Sequence, residues 1–267
     1  MNSFLRLPAG LTLALGFLTT LPVPPVAETE FDSHPHLLGQ SFAWYPFVGA
    51  LLGALLVGGA WLLRLTSLQP PVQAGLLLLA WILLTGGLHL DGLLDACDAL
   101  FAPVGWERRL EILKDVHTGA FGVIGLVLVV GLKWTLLTQI LTQPGPALWA
   151  GLWLAPVWGR WMLVWAAQRY PYARTNLGPA PATLGGVMRQ GLGNRQLLIA
   201  SVITLLATGV MIVIDWRTGG VLLAPLVGLW SARWAAHRLN GGLTGDLYGA
   251  LCEVTELAAL LGVLLGE

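Results

Sequence analysis

Apolar stretches of about 20 residues recur along the whole chain, and they constrain its fold more than any other feature. An α-helix needs roughly that length to cross a bilayer. Only 10% of the residues are charged and 56% are hydrophobic, whereas soluble domains carry about a quarter charged residues. We therefore predict an all-α, polytopic transmembrane helical bundle that forms one integral-membrane domain over residues 1–267. About seven spans are predicted, at 44–63, 73–90, 119–141, 147–167, 197–214, 219–236 and 247–265.

A shorter apolar stretch lies at 8–21, before the first predicted span. Arg6 ahead of it and the proline-rich segment 22–25 behind it resemble a signal peptide. The sequence Pro-Val-Ala at 25–27 is a poor processing site, so we expect no cleavage. The segment is predicted to form a membrane-embedded or interfacial N-terminal helix.

Basic residues indicate how the predicted bundle is oriented. Alternating spans put the connections 91–118, 168–196 and 237–246 on one side, while the opposite side holds little more than Arg64 and Arg217. The side rich in Lys and Arg is predicted to be cytoplasmic. Its basic residues are Arg108, Arg109, Lys114, Arg169, Arg174, Arg189, Arg195 and Arg238.

An acidic run follows the second predicted span on that same side. Asp91, Asp95 and Asp98 are spaced i, i+4 and i+7, so on a helix they project from one face about a turn apart. Like charges stacked in this way repel one another, and a divalent cation that prefers oxygen ligands relieves the repulsion. Mg²⁺ is the first candidate. The alternative is a solvated helix end that is merely acidic.

Two further acidic segments lie on the same predicted face, at 111–122 and 244–256. In the second, Asp246 and Glu253 are seven residues apart and share a helix face. A carboxylate at membrane depth costs a few kcal/mol, so these side chains should face the bundle interior or water. The three segments together hold eight of the 14 acidic residues, namely Asp91, Asp95, Asp98, Glu111, Asp115, Asp246, Glu253 and Glu256.

Basic side chains complement these carboxylates. A metal held by carboxylates beside Arg and Lys is suited to a polyphosphate substrate. Lys114, Arg160 and Arg174 are candidate phosphate contacts, and Arg160 is equally a candidate for an ion pair inside the bundle. Lys133 is expected to be structural. His89 is either a proton acceptor or metal ligand, or a hydrogen-bond partner behind the acidic cluster.

Three motifs, in this order, resemble those of a known membrane enzyme family. They are Gly87-Leu-His89-Leu-Asp91-Gly92-Leu-Leu-Asp95-Ala-Cys-Asp98, then Lys114-Asp115 followed by Gly119 and Gly122, and Thr244-Gly-Asp246-Leu-Tyr248-Gly249 with Glu253 and Glu256. On these residues the chain resembles the cobalamin synthases, which are adenosylcobinamide-GDP ribazoletransferases, over nearly its whole length. It differs at Ala99, where Gly is common, and at Val116-His117, where a Ser-Arg pair is common.

The resemblance implies a definite reaction. The ribose 3′-hydroxyl of α-ribazole, or of its 5′-phosphate, attacks the phosphate attached to cobinamide in adenosylcobinamide-GDP. GMP leaves, and adenosylcobalamin or its 5′-phosphate results. The resemblance also implies Mg²⁺, surrounding membrane lipid and a bacterial inner membrane with the site facing the cytoplasm. The oligomeric state stays open, with a homo-oligomer as one option. A net charge of zero argues against nucleic acid as a partner.

Displacement at phosphorus needs neutralised phosphate oxygens and a hydroxyl positioned in line. Asp91 and Asp95 are the first choices as metal ligands, and Asp98 is either a ligand or the base. The predicted metal ligands are Asp91, Asp95, Asp98, Asp115, Asp246 and Glu253. The predicted catalytic residues are His89, Asp95, Asp98 and Asp246, and the predicted substrate-binding residues are Lys114, Arg160, Arg174, Thr244 and Tyr248.

The competing class is a membrane transporter or ion pathway, because intramembrane charges also mark such pathways. The ionisable residues of this chain crowd one predicted face, and no pair of matching interrupted spans suggests inverted repeats. A membrane metalloprotease is a third class. The sequence contains no His-Glu-x-x-His motif, which argues against it.

Overall fold

A computed structural model describes residues 7–27, 36–143, 145–173 and 189–266. These residues are predominantly helical, and the all-α prediction is confirmed. The α-helices are α1 Ala9–Leu18, α2 Leu37–Ser41, α3 Tyr45–Arg64, α4 Pro70–Thr85, α5 Leu88–Phe101, α6 Trp106–Ile112, α7 Ala120–Thr142, α8 Pro146–Arg169, α9 Asn194–Ile214, α10 Leu223–Arg238 and α11 Gly245–Leu265. Short 3-10 helices at Phe42–Trp44 and Trp216–Leu222 precede α3 and α10.

The helices confirm the polytopic class but not the count of seven spans. Four helical stretches in the described residues are long and apolar enough to cross a membrane: Leu37–Arg64, Ala120–Thr142, Asn194–Ile214 and Gly245–Leu265. The pair formed by α4 and α5 adds a fifth if it is taken as one bent span. Helices α8 and α10 occupy two other predicted spans and do not meet the same criteria, and α10 has only 16 residues.

A sharp break divides the predicted span 73–90. Helix α4 ends at Thr85 and α5 begins at Leu88, with an angle of 91° between them. Gly86 and Gly87 between them have φ of 63° and 69°, a left-handed conformation that glycine adopts without a steric penalty. Helix α5 therefore turns away from α4, and it carries the acidic run across one end of the bundle.

The helix ends sort into two groups. Helix α5 lies among the C-terminus of α10 and the N-termini of α7 and α11, and we name this end of the bundle the α5 face. The Arg238 guanidinium at the end of α10, for example, donates to the Leu100 carbonyl of α5 at 2.6 Å. At the opposite end, Arg64 of α3 lies over the Trp149 ring of α8 at 5.5 Å. The predicted connections 91–118 and 237–246 therefore lie at the same end of the bundle.

Helix α8 forms the centre of the bundle and is buried along nearly its whole length. Gly49 and Gly53 of α3 approach its backbone so closely that Cβ atoms there would lie 2.8 Å from the Pro156 carbonyl carbon and 2.9 Å from that of Trp153. Small residues at such crossings allow helices to pack without a hydrophobic driving force from water. The ten-residue helix α1 packs into the same core and is too short to span a bilayer.

Candidate active site

The three carboxylates of α5 differ in their exposure to solvent. Asp91 in the first turn is exposed, Asp95 is half-buried and Asp98 is buried. Their i, i+4, i+7 spacing holds in the structure because α5 is helical through all three positions. The acidic stripe thus runs from the surface of the α5 face toward the contact between α5 and α7.

Helices α5 and α11 cross in close contact at two glycines. A Cβ atom at Gly92 would lie 2.7 Å from the Asp246 carbonyl oxygen, and one at Gly249 would lie 3.2 Å from the Cα of His89. The structure therefore brings the first and third acidic motifs together. Asp246, the second residue of α11, contacts α5 at Gly92, the residue that follows Asp91.

The segment before α11 is held in place by the chain that follows α8. The Ala173 amide donates to the Leu243 carbonyl at 2.9 Å, and the Leu243 amide donates to the Pro171 carbonyl at 3.0 Å. Thr244 is buried, and its hydroxyl donates to Oδ2 of Asp246 at 3.2 Å. These bonds fix the direction in which α11 leaves the α5 face.

Two predicted site residues beside this crossing are buried and retain an unused polar atom. Nε2 of His89 and the hydroxyl of Tyr248 have no hydrogen-bond partner among the described residues. His89 of α5 is itself in contact with Gly249, and Tyr248 precedes Gly249 on α11. These two polar atoms can bind substrate or water only if a molecule enters the contact between α5 and α11.

Asp98 is engaged differently from the other two aspartates. Its Oδ2 accepts the Gly119 amide at 2.7 Å, and its Oδ1 accepts the Gly122 amide at 2.8 Å. Gly119 directly precedes α7 and Gly122 lies in its first turn, where backbone N–H groups lack partners within the helix. The carboxylate predicted as a metal ligand or base is thus used as a cap for α7.

A second group of charges lies deep within the bundle. The Lys133 ammonium of α7 donates to Glu253 at 2.7 Å and to Glu256 at 2.5 Å on α11. The Arg160 guanidinium of α8 also donates to Glu256. All four side chains are buried, and Lys133 additionally lies over the Trp81 ring at 4.4 Å. We name these four residues the buried ion cluster.

The buried ion cluster bears on two predicted roles. Arg160 was expected either to contact phosphate or to form an internal ion pair, and the structure gives it the ion pair. Its Nε and Nη2 have no hydrogen-bond partner in the part of the chain that is described. Glu253, predicted as a metal ligand, pairs with Lys133 about two turns of helix beyond Asp246.

The remaining predicted contacts lie in the loop between α6 and α7. Lys114 and Asp115 are exposed there, on the α5 face. Asp115 accepts from Nδ1 of His117 at 2.6 Å and from its amide at 3.1 Å, and these bonds lower the pKa of the Asp115 carboxyl. Arg174, predicted to bind substrate, lies outside the described residues.

The described side chains do not assemble the predicted ligand set into a metal site. Among the described side chains, no group of three or more His, Cys, Asp or Glu residues is arranged to hold a metal ion. Asp98 already accepts hydrogen bonds from the Gly119 and Gly122 amides, and Glu253 is already paired with Lys133. The chemistry of the donors does suit Mg²⁺ at Asp91, Asp95 and Asp246, which are carboxylates from two helices in contact.

Two features of the site were missed by the sequence analysis. One is the pair of glycines, Gly92 and Gly249, that lets α5 and α11 touch; their position inside the acidic motifs was the available signal. The other is the anchoring of the end of α5, where Arg238 donates to Leu100 and Arg109 donates to the Ala102 carbonyl at 3.1 Å. No local pattern pairs those arginines with α5.

Comparison with known proteins gives the family of the chain. Residues 10–264 match the family model described as cobalamin-5-phosphate synthase. An adenosylcobinamide-GDP ribazoletransferase of Deinococcus radiodurans is 41% identical over 255 residues, which make up 94% of this chain and 83% of that protein. Proteins of the same name from Desulfitobacterium hafniense and Synechococcus sp. are 38% and 36% identical, over 94% and 96% of this chain and 95% and 96% of those proteins. No solved structure matches the chain.

The matched region includes α5, the start of α7 and the whole of the acidic part of α11. The family model therefore covers every described residue of the candidate site. Taken with the identities to the three relatives, the match shows that the chain belongs to the cobalamin-5-phosphate synthase family.

Proposed function

We propose that this chain is an adenosylcobinamide-GDP ribazoletransferase. It joins adenosylcobinamide-GDP to α-ribazole, or to α-ribazole 5′-phosphate, and yields adenosylcobalamin, or its 5′-phosphate, together with GMP. The observation that carries the proposal is the crossing of α5 and α11, where the two acidic motifs of the family meet at Gly92 and Asp246.

The reaction is a substitution at phosphorus. The 3′-hydroxyl oxygen of α-ribazole forms a new bond to the phosphorus attached to cobinamide, and the bond from that phosphorus to the oxygen of the GMP group breaks. The hydroxyl proton passes to a base, and GMP leaves with the electron pair. Positioning of the hydroxyl and neutralisation of the phosphate oxygens account for most of the catalysis in such reactions.

Asp91, Asp95 and Asp246 are the residues that we propose to hold Mg²⁺. When bound, the metal would neutralise charge on the pyrophosphate oxygens. Asp91 is exposed and Asp95 and Asp246 are half-buried, so each keeps some solvent-accessible surface at the α5 face. Lys114, exposed on the neighbouring loop, is the proposed phosphate contact.

The α5 face is proposed to be cytoplasmic. The sequence segments 91–118, 168–196 and 237–246, predicted on this side, hold eight of the 14 basic residues of the chain, whereas the opposite connections hold Arg64 and Arg217. Cytoplasmic loops of membrane proteins carry such an excess of Lys and Arg. The cytoplasm is also the compartment in which a nucleotide-linked substrate is available.

The test measures GMP release by purified protein in detergent, with adenosylcobinamide-GDP, α-ribazole and Mg²⁺. Asp91→Asn and Asp95→Asn should each lower turnover by more than the roughly 10–100-fold that is typical of residues behind a metal ligand. Glu107→Gln is the matched control, because Glu107 is an exposed carboxylate on α6. Chelator should abolish the activity.

Two outcomes would contradict parts of the proposal. Full activity of both aspartate variants in excess chelator would show that the reaction needs neither the metal nor its proposed ligands. Absence of GMP release by the wild-type protein, with substrate movement across sealed vesicles instead, would favour a transporter, since transport needs two compartments and this reaction does not.

A further inference from the structure

Asp98 forms a contact that its place in the acidic run does not explain. Its two carboxylate oxygens accept the amides of Gly119 and Gly122 at 2.7 Å and 2.8 Å, so one side chain of α5 satisfies two of the unpaired donors that begin α7. A carboxylate at a helix N-terminus is also favoured by the helix dipole. We infer that Asp98 is a positioning residue that seats α7 on α5, and that it does not supply the metal ligand or the base.

The space around Asp98 agrees with this assignment. Cβ atoms at Gly119 and Gly122 would lie 2.8 Å and 3.0 Å from the Cγ of Asp98, and one at Gly122 would also lie 2.8 Å from the Leu94 carbonyl oxygen. The start of α7 is therefore pressed against α5 with no room for a larger residue. Asp98 is buried in this contact, whereas Asp91 is exposed on the same helix.

The contact at Asp98 is one side of a closed triangle of helices. Asp98 joins α5 to the start of α7, and Lys133 joins the middle of α7 to Glu253 on α11. The third side is the contact of Gly92 with Asp246, which joins α11 back to α5. Because the triangle is closed, release of α7 from α5 also loosens α11.

The consequence for the reaction rests on the proposed function. The proposed metal ligands lie on two sides of the triangle, with Asp91 and Asp95 on α5 and Asp246 on α11. Asp98 would set the distance between them through α7, without contact with the reacting atoms. Its loss should then lower turnover without changing the Mg²⁺ concentration that gives half-maximal activity.

A native cysteine reports on the contact directly. Cys97 is buried between α5 and α7, where a Cβ atom at Gly125 would lie 3.0 Å from its own Cβ. Cys252 is wholly buried on α11 and serves as an internal reference. The experiment measures the rate at which N-ethylmaleimide labels each cysteine in detergent-solubilised full-length protein, with the labelled peptides identified by mass spectrometry.

Asp98→Asn keeps one acceptor oxygen and removes the other, and it should increase the labelling rate of Cys97 at least tenfold while Cys252 stays protected. Asp91→Asn is the matched control, because Asp91 is exposed on the same helix, and it should leave both labelling rates unchanged. Global unfolding would instead expose both cysteines. In the GMP assay, Asp98→Asn should lower kcat and keep the half-maximal Mg²⁺ concentration within twofold of the wild-type value.

Unchanged protection of Cys97 in Asp98→Asn would overturn the assignment, as would a tenfold rise in the half-maximal Mg²⁺ concentration. If Asp98→Asn does not fold, Gly122→Ala replaces it, because the added methyl group pushes the same carboxylate away from α7. The labelling needs no substrate. A wild-type protein that releases no GMP would therefore defeat the proposed function and leave the result on the α5–α7 contact intact.

Discussion

Gly92 on α5 and Asp246 at the start of α11 are in backbone contact. A Cβ atom at Gly92 would lie 2.7 Å from the Asp246 carbonyl oxygen and 3.1 Å from its Cα. No side chain larger than hydrogen fits between the two helices at this point. The contact makes one site out of two motifs that are far apart in the sequence.

The first prediction concerns this contact. Gly92→Ala should push α11 away from α5 and destabilise the protein by about 1–3 kcal/mol, the usual cost of overpacking, with a larger relative loss of GMP release than of folded protein. Gly245→Ala is the control, since nothing lies within 4 Å of a Cβ atom there. Wild-type turnover in Gly92→Ala would show that the crossing need not be so close.

The second prediction concerns cooperation between the two helices. If Asp91 and Asp246 hold the same Mg²⁺, then Asp91→Asn, Asp246→Asn and the double variant should lose similar amounts of activity, because groups that act as a unit are not additive. The Mg²⁺ dependence of GMP release is measured in all three. An unaltered Mg²⁺ response in Asp246→Asn together with a lowered melting temperature would assign Asp246 to structure.

The third prediction concerns the buried ion cluster. Among the described ion pairs, Glu256→Gln leaves Lys133 paired with Glu253 and removes the pair that Arg160 forms, and breaking a buried ion pair costs about 3–5 kcal/mol. We expect a marked fall in the melting temperature in detergent. Arg160→Met combined with Glu256→Met leaves Lys133 paired with Glu253, so this double variant should recover most of the lost stability.

The control for that experiment is an exposed ion pair on α6. Arg108 and Glu111 are joined at 2.6 Å, and both side chains are largely exposed. Glu111→Gln should therefore change stability by no more than about 1 kcal/mol. If the Glu256→Gln protein is as stable as the Glu111→Gln protein, the buried cations find other partners. The prediction that the buried ion cluster stabilises the fold would then be wrong.

The fourth prediction concerns the orientation of the bundle. Glu107 on α6 and Gln143 after α7 are both exposed, and they lie at opposite ends of α7. Glu107→Cys should react with an impermeant thiol reagent only from the cytoplasmic side, and Gln143→Cys only from the other side. The native Cys97 and Cys252 are buried and should contribute little background. Labelling of both new cysteines from one side would show that α7 does not cross the membrane.

The break between α4 and α5 shows where local patterns stop being informative. The sequence 73–90 is apolar enough to indicate one span, and Gly86 and Gly87 are tolerated within transmembrane helices. The left-handed conformation of the two glycines permits the 91° turn, and distant contacts hold α5 in its new direction. Arg238 holds the C-terminus of α10 to α5, and Asp98 holds the N-terminus of α7 to α5. The Thr20 hydroxyl donates to the Leu83 carbonyl and the Thr20 amide to the Leu84 carbonyl at the end of α4, both at 2.9 Å.

The amino-acid sequence by itself determined the all-α membrane class and the concentration of acidic residues in three motifs. Both are local properties, because hydrophobic length and residue spacing are measured along a single helix. Only the tertiary structure decided how those acids divide among their roles. Asp98 meets the amides of α7, and Glu253 and Glu256 meet Lys133 and Arg160, while Asp91 and Asp95 lie on the helix that contacts Asp246 at Gly92. The partner of each charge depends on which helices are neighbours and how each is rotated about its axis, and helix packing over the whole bundle sets both.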